Sequence, residues 1–430
     1  MAEDTKTMMA QPFDWMQHIY GEVQEPLIRF ALELDGRLDI DTLRDSVDLI
    51  AQAVPVAAAR YDEQTCDWKS SATARANMVH LVEVGPEERE HTRHIALLAH
   101  LNPSKGPQLR ITLIRTDDMP DLLVVVINHM LADGQAAKQL LCLISSTYAR
   151  MAGAGSYERG IAPTVPASRS MLQLIANLDP RRLAVLMMKR TRLPKVDTKL
   201  HLPLAQGISC PRYVTRAIAV DDVRMALERT HAIGSTFNDL LLAAYGRTIC
   251  SAAGIESVVL PCPVDLRRFA RAGQTCGICN LTGSYVCRIP SFKQASLGQA
   301  LMRVTHQMRL QKTSDECLRG PLLFNAAALA LPYEGARNLY LDNAGIPKVS
   351  YTNLGATEAE QLSFGDVHVT DMLFLAATRA WPCFQLSVST FDGICTLSAT
   401  MNASDAAEDL ARQVLNVTAE QIELFARQGV

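Results

Sequence analysis

The spacing of apolar and polar positions along the chain predicts alternating strands and helices in its first half. Apolar runs rich in β-branched residues are typical of strands, whereas an apolar residue every three to four positions is typical of an amphipathic helix. Strands are predicted at 27–34, 79–84, 108–115 and 121–127, and helices at 40–53, 86–99 and 135–151. Asp35-Gly36 marks a turn after the first strand, and Asp39 is placed to cap the first helix.

The second half repeats this alternation. Strands are predicted near 210–220, 257–264, 282–289, 363–376, 384–391 and 394–400, and helices at 222–231, 236–253, 294–313 and 404–428. Between the halves, the segment 168–199 is predicted to be helical and basic. Strands and helices in both halves favour an α+β class in which one two-layer design is used twice.

Length and composition narrow the class of protein. A chain of 430 residues exceeds one ordinary core and fits two domains of about 200 residues each. Its net charge of −3 and the lack of a basic stripe with aromatics argue against a nucleic-acid-binding protein. The start of the chain lacks the pattern of a signal peptide, and no apolar run approaches membrane-spanning length. We therefore expect a cytoplasmic enzyme without a transmembrane segment.

The cysteines and one group of histidines raise the question of a metal site. Eleven scattered cysteines suit free thiols in a reducing compartment. The tightest group in sequence consists of Cys262, Cys276, Cys279 and Cys287. It contains a single close pair, so zinc is a minor alternative and no metal is predicted. The histidines on or near the predicted helix at 86–99 are His91, His94 and His100, and their spacing suits a surface face.

The strongest candidate for chemistry is the polar turn after the strand at 121–127. This turn contains Asn128, His129, Asp133 and Gly134. A neutral imidazole near physiological pH can accept a proton, and a strand end holds it rigidly. Asp133 can turn back as an anchor, and Gly134 is expected to let the backbone turn sharply into the next helix. Taken alone, the motif fits a general base and a structural core histidine equally well.

This turn resembles the His-x-x-x-Asp-Gly signature of the chloramphenicol acetyltransferase-like superfamily. That superfamily includes nonribosomal peptide condensation domains, alcohol acetyltransferases and wax ester synthases. Five further segments resemble family elements in the same order, at 27–61, 235–244, 263–268, 277–283 and 350–355. The segment 277–283 matches the loop that floors the family's tunnel, and we call it the floor loop.

The resemblance implies a fold and a division of the chain. The fold would consist of two chloramphenicol acetyltransferase-like α/β sandwich lobes that form a pseudo-dimer around a central tunnel. Residues 1–175 would form the N-terminal lobe with the motif, 176–205 a basic crossover linker, and 206–430 the C-terminal lobe.

The resemblance also assigns roles to the motif residues. His129 would be the general base that deprotonates an alcohol or amine acceptor as it attacks an acyl thioester. Asp133 would be structural and pair with an arginine of the second half, for which Arg267 is the first candidate and Arg268 the next. Asn128 and Gly134 would support the turn.

Three residues of the second half are candidates for substrate binding. Asn353, near a strand end, could donate a hydrogen bond to the substrate or to the tetrahedral oxyanion, although a turn residue before Gly355 is an equal alternative. Tyr351 and Asn280 are further candidates in the tunnel.

One departure from the family pattern affects the function. Condensation domains usually carry two consecutive histidines, whereas Asn128 fills the first position here. The implied base is intact, so the departure favours ester or amide formation on a smaller acceptor over peptide condensation. A free-standing condensation enzyme with carrier-bound substrates and a catalytically degenerate carrier-binding module stay open as alternatives.

The resemblance implies no permanently bound cofactor. An acyl-CoA or a phosphopantetheine-linked acyl group would be the co-substrate, and a carrier protein, if used, would be a separate chain. We expect a monomer. The basic crossover has three interpretations: a solvated linker, a contact for cofactor phosphates, or a membrane-surface contact.

Overall fold

The computed structural model describes residues 6–153, 161–188, 194–343 and 345–428. The strands are β1 Thr7–Met8, β2 Gln24–Glu25, β3 Leu27–Leu34, β4 Ala59–Asp62, β5 Asp67–Ser70, β6 Val79–Val84, β7 Leu109–Thr116, β8 Leu122–Asn128, β9 Cys210–Ile218, β10 Ser257–Asp265, β11 Thr282–Pro290, β12 Val349–Thr357, β13 Ser363–Phe364, β14 Val367–Leu375, β15 Thr378–Ala380, β16 Phe384–Phe391 and β17 Ile394–Ala403. The helices are α1 Pro12–Tyr20, α2 Ile40–Ala53, α3 Ala72–Ala76, α4 Arg89–Leu98, α5 Gly134–Gly153, α6 Leu172–Ile175, α7 Pro180–Met188, α8 Val220–Ala232, α9 Phe237–Ala253, α10 Leu297–Lys312, α11 Arg319–Ala330, α12 Tyr333–Asn343 and α13 Asp405–Gln428.

The sheet of the first lobe contains the strand that leads to the motif. Its order is β13-β14-β3-β8-β7-β6, with β8 antiparallel to both of its neighbours. Helices α2 and α5 contribute to the core on one face, and Leu97 of α4 packs on the other. Because both faces are covered, every residue of β8 is buried, which explains its unbroken apolar run.

The second lobe has its own sheet, in the order β12-β16-β17-β15-β2, with β9 also paired to β17. Residues of α8, α9, α10 and α13 form the core beside it. Two strands pair across the lobes: β14 joins the first sheet through β3, and β2 joins the second through β15. Each of these two strands therefore lies in one predicted lobe by sequence and in the sheet of the other lobe by pairing. The predicted division into 1–175, 176–205 and 206–430 stays a prediction.

Local capping explains why the main helices begin where they do. The side chain of Asp39 accepts a hydrogen bond from the backbone of Thr42 at 2.7 Å, as predicted for α2. Thr236 and Asp239 form a capping box at the start of α9, and Gly254, with φ +67°, ends that helix in the left-handed region. Helix α2 and strands β3, β6 and β16 have the predicted bounds.

Two predicted elements were wrong in detail. The segment 168–199 is not one helical stretch, because only α6 and α7 are helical among its described residues, and 189–193 lie outside them. Pro180 fits the first position of α7 and disfavours a helical residue before it. The strand predicted at 363–376 is a hairpin, since Gly365, with φ +75°, turns the chain between β13 and β14.

The sequence pattern did not predict helices α1, α11 and α12 or the β4–β5 hairpin. No helix in the described ranges has both the length and the apolar character required to cross a membrane.

Candidate active site

The motif turn, residues 128–134, follows β8 directly and is held by local hydrogen bonds. The buried Asn128 accepts a hydrogen bond from the backbone of Met130 on its side-chain oxygen at 3.0 Å. Its carbonyl accepts another from the backbone of Leu131 at 2.8 Å. The backbone N–H of His129 donates to the carbonyl of Pro26 at 2.8 Å, which ties the turn to the start of β3. Asn128 therefore holds the backbone of the two residues that follow the histidine.

His129 lies deep in the protein and still retains partial solvent access. Burial lowers the pKa of its imidazole, although hydrogen bonds to its own carbonyl and to Asn280, and the charge of Asp133, act in the opposite direction. The net direction keeps the ring neutral near pH 7, which a general base requires.

Asn280 of the floor loop fixes the tautomer of this ring. Its amide nitrogen donates to the carbonyls of His129 at 2.8 Å and Met130 at 3.3 Å. Its oxygen therefore faces Nδ1 of His129, 3.1 Å away. Because that oxygen only accepts, Nδ1 must carry the proton, and Nε2 keeps a free lone pair. Among the described residues, Nε2 has no hydrogen-bond partner.

This geometry adds a contact that was not predicted for Asn280. Both ends of its side chain are engaged by the motif turn, where they orient the ring of His129. Substrate binding by Asn280 stays a prediction.

Asp133 joins the motif turn to the second lobe. One carboxylate oxygen caps α5 by accepting from the backbone of Ala136 at 2.9 Å. The other accepts from the guanidinium of Arg267 at 3.0 Å, the backbone of Leu281 at 2.7 Å and the hydroxyl of Thr282 at 3.1 Å. This buried carboxylate therefore links the start of α5 to Arg267, Leu281 and Thr282 of the second half of the chain.

Arg267 is the arginine that pairs with Asp133. It also donates to the carbonyl of Cys279 at 2.8 Å, and to Asp265 at 2.9 Å. Burial opposes its charge, but Asp133 and Asp265 prevail and raise the pKa of Arg267 above its usual range. Arg268 points elsewhere, to the hydroxyl of Tyr285 at 2.5 Å.

The reason for Gly134 differs from the prediction. It does not adopt the left-handed region, so a sharp turn does not explain it. A Cβ atom at this position would lie 3.3 Å from a methyl group of Leu354. Gly134 therefore allows β12 of the second lobe to approach the start of α5.

Tyr351 and Asn353 meet on a residue that had no predicted role, Asn238 at the start of α9. The oxygen of Asn238 accepts from the hydroxyl of Tyr351 at 2.9 Å and from the amide of Asn353 at 3.0 Å. The oxygen of Asn353 accepts from the backbone of Gly355 at 2.8 Å. Asn353 lies within β12 at a β-bulge and not in a turn at the strand end, and Asn238 is the shared acceptor of the cluster. Substrate binding by Asn353 and Tyr351 stays a prediction.

A second residue without a predicted role, Arg169, contacts the motif turn. It lies in the irregular segment between α5 and α6 and donates to the carbonyls of Met130 and Leu131. The sequence carried no indication of this contact, because Arg169 is one of several basic residues in its segment and its partners here are backbone carbonyls.

The cysteines and histidines do not converge on a metal site. No group of three potential ligands among histidine, cysteine, aspartate and glutamate occurs within the described parts of the chain. All of the four clustered cysteines are buried, and burial raises the pKa of each of their thiols. His94 stacks on Tyr213, and His100 contacts Glu25.

The chain matches no known family model and no curated protein sequence. Its structure is similar to solved structures over nearly its full length. Polyketide synthase associated protein 5 from Mycobacterium tuberculosis superposes with a TM-score of 0.68 at 16% identity, covering 98% of this chain and 99% of that one. The first condensation domain of the calcium-dependent antibiotic synthetase, in complex with a substrate analogue, gives 0.69 at 15% identity, with 98% and 97% covered.

An acetyltransferase has the same fold. The trichothecene 15-O-acetyltransferase of Fusarium sporotrichioides superposes with a TM-score of 0.65 at 13% identity, covering 98% of this chain and 95% of that one. The chain therefore has the two-lobed fold of condensation domains and chloramphenicol acetyltransferase-like acyltransferases, which confirms the predicted fold class.

Proposed function

We propose that this protein is an acyltransferase that moves an acyl group from a thioester to an alcohol or amine, with His129 as the general base. The observation that carries the proposal is the free Nε2 of a neutral imidazole, oriented by Asn280 through Nδ1. The fold supports it, because solved structures with this fold include an acetyltransferase and condensation domains.

The proposed reaction needs no covalent enzyme intermediate. Nε2 of His129 takes the proton of the acceptor as its oxygen or nitrogen attacks the thioester carbonyl. The tetrahedral intermediate then collapses, the C–S bond breaks, and the thiol leaves with the proton from the imidazolium. The charge of Asp133 favours the imidazolium that forms between these steps. The products are an ester or amide and a free thiol.

The partial access of a deeply placed His129 supports a substrate channel between the lobes. We propose that the acceptor and the thioester reach Nε2 through it, and that the donor is an acyl-CoA or an acyl group on a carrier protein. We also propose a cytoplasmic monomer without a resident cofactor. A carrier-bound donor is the second candidate, since condensation domains share the fold.

The test is an assay of thiol release with acyl-CoA donors of increasing chain length, and with acyl-loaded carrier proteins, against a panel of alcohols and amines. We expect His129→Ala to lower turnover by about 10²- to 10⁴-fold. The matched control is His91→Ala, which removes an exposed histidine on α4. Unchanged turnover in His129→Ala would rule out this residue as the base. A protein that binds carriers without turning over any donor would be a carrier-binding module.

A further inference from the structure

Arg169 is placed to hold four acceptors from three parts of the chain. One terminal nitrogen donates to the carbonyl of Leu131 at 2.9 Å and to that of Ile278 at 2.7 Å. The other donates to the carbonyl of Met130 at 3.0 Å and to the carboxylate of Asp14 at 2.7 Å. The fork therefore joins the motif turn, the floor loop and helix α1.

The carboxylate partner of Arg169 is itself fixed. Asp14 is 1% exposed. Its second oxygen accepts from the indole N–H of Trp68 at 3.0 Å and from the backbone of Gln11 at 3.1 Å. Because both oxygens of this buried carboxylate are engaged, it has one orientation and sets the position of the guanidinium.

The segment before Arg169 is packed directly on the floor loop. A Cβ atom on Gly277 would lie 2.5 Å from the carbonyl oxygens of both Pro166 and Ser168. Only a glycine permits this approach, and it brings Arg169 within reach of Ile278.

Arg169 and Asn280 share an acceptor. The carbonyl of Met130 receives both the guanidinium of Arg169 and the amide of Asn280, and that amide also holds the carbonyl of His129. The three consecutive carbonyls of residues 129–131 are thus held by two side chains. A shift of this backbone would change the contact between Asn280 and Nδ1 of His129.

We propose that Arg169, oriented by Asp14, is a positioning residue that holds the carbonyls of the motif turn so that Asn280 stays aligned with His129. This inference rests on the proposed role of His129 as a base. Arg169 does not touch the reacting atoms and acts through His129.

Lysine is the substitution that separates position from charge. Arg169→Lys keeps the positive charge beside Asp14, but a single ammonium cannot span the four acceptors of the planar fork. Asp14→Asn is the second variant: it keeps the shape of the side chain and removes the charge that orients Arg169. The matched control is Arg115→Lys, because Arg115 also holds a buried aspartate, Asp121, and a backbone carbonyl, far along β7 from the motif.

The experiment measures the imidazole of His129 by NMR in protein labelled on histidine nitrogens, together with kcat, KM and the melting temperature. The resonance is assigned by its loss in His129→Gln. We expect Arg169→Lys and Asp14→Asn to shift the tautomer balance and titration of His129 and to lower kcat about ten- to a hundredfold with KM little changed. Arg115→Lys should lower the melting temperature to a similar extent and leave the His129 signals and kcat unaltered.

Two results would overturn the proposal. One is a native His129 tautomer and titration in folded Arg169→Lys and Asp14→Asn, with kcat unchanged. The other is an equal effect of Arg115→Lys on kcat, which would indicate general destabilisation. Failure of the proposed function is distinguishable, because His129→Ala would then retain turnover while the NMR comparison still reports whether Arg169 positions the ring.

Discussion

The motif turn and the floor loop face each other across the site, but their polar groups are held in different ways. The turn combines contacts from distant residues with bonds inside its own segment, since Asn128 accepts from Met130 and Asp133 caps the helix that follows. The floor loop bonds outward, as Asn280 reaches His129 and Leu281 reaches Asp133. The turn thus presents the imidazole of His129, and the loop determines which ring nitrogen is free and how the ring is oriented.

The largest effect should come from the buried ion pair between Asp133 of the turn and Arg267, which also donates to the carbonyl of Cys279 in the floor loop. Asp133→Ala removes the buried partner of Arg267, which then retains the more exposed Asp265, and it also removes the acceptor of Leu281 and Thr282. We expect a loss of about 3–5 kcal/mol in the free energy of unfolding, because a buried charge loses its buried partner. Chemical denaturation measures it.

The control for that prediction is Arg224→Ala, which breaks exposed pairs on α8. Pairs of this kind contribute at most about 1 kcal/mol. An equally small effect of Asp133→Ala would mean that the turn does not depend on the second lobe.

Asn280→Ala tests whether the loop orients the turn. Removal of the amide frees the ring and the carbonyl of His129, so kcat should fall about ten- to a hundredfold while KM changes little. Steady-state kinetics measures both constants. The control is Asn77→Ala, because Asn77 is exposed and its side chain donates to the carbonyl of Thr73 in the preceding helix. A change confined to KM would instead place Asn280 in contact with substrate.

The pH dependence follows from the lowered pKa of His129. Below about pH 6.5 the unfolded chain binds a proton at this residue before the folded one does, so stability falls as the pH drops through this range. For the same reason, the acidic limb of the kcat/KM profile should lie below about pH 6.5.

Asn280→Asp should move that limb to higher pH, because a carboxylate beside Nδ1 favours the imidazolium. A pH–rate profile of both proteins measures the difference. An acidic limb that is identical in the two proteins would contradict the contact between residue 280 and the ring.

The smallest effects on stability are expected from two glycine-to-alanine substitutions, one in the floor loop and one in the motif turn. The Cβ atom added by Gly277→Ala would lie 2.5 Å from two backbone oxygens. Because the backbone must shift, the free energy of unfolding should fall by about 1–3 kcal/mol. Gly134→Ala in the turn meets a leucine methyl at 3.3 Å that can move, so its cost should be smaller. Melting temperatures rank the two. The reverse order would mean that the turn is the more tightly packed region.

The difference between the turn and the loop also explains which parts of the site could be predicted from the sequence. The turn is contiguous, so His129, Asp133 and their strand were predictable from one short segment, and capping and periodicity located α2, β3 and β16. The task of Asn280 was not predictable, because it depends on which way an amide faces across two lobes. Arg169 and Asn238 escaped notice for a similar reason: their partners lie far away in sequence and are mostly backbone carbonyls or neutral side chains. The strand exchange by β2 and β14 also depends on tertiary pairing alone.

The most direct test of the central claim is the tautomer and titration of His129 in the unmodified protein, followed by nitrogen NMR without any substrate. We predict a neutral imidazole protonated on Nδ1, with an unprotonated Nε2 and a pKa below about 6.5. A ring protonated on Nε2, or one that is charged at pH 7, would contradict the proposal that His129 is poised as a base by the floor loop.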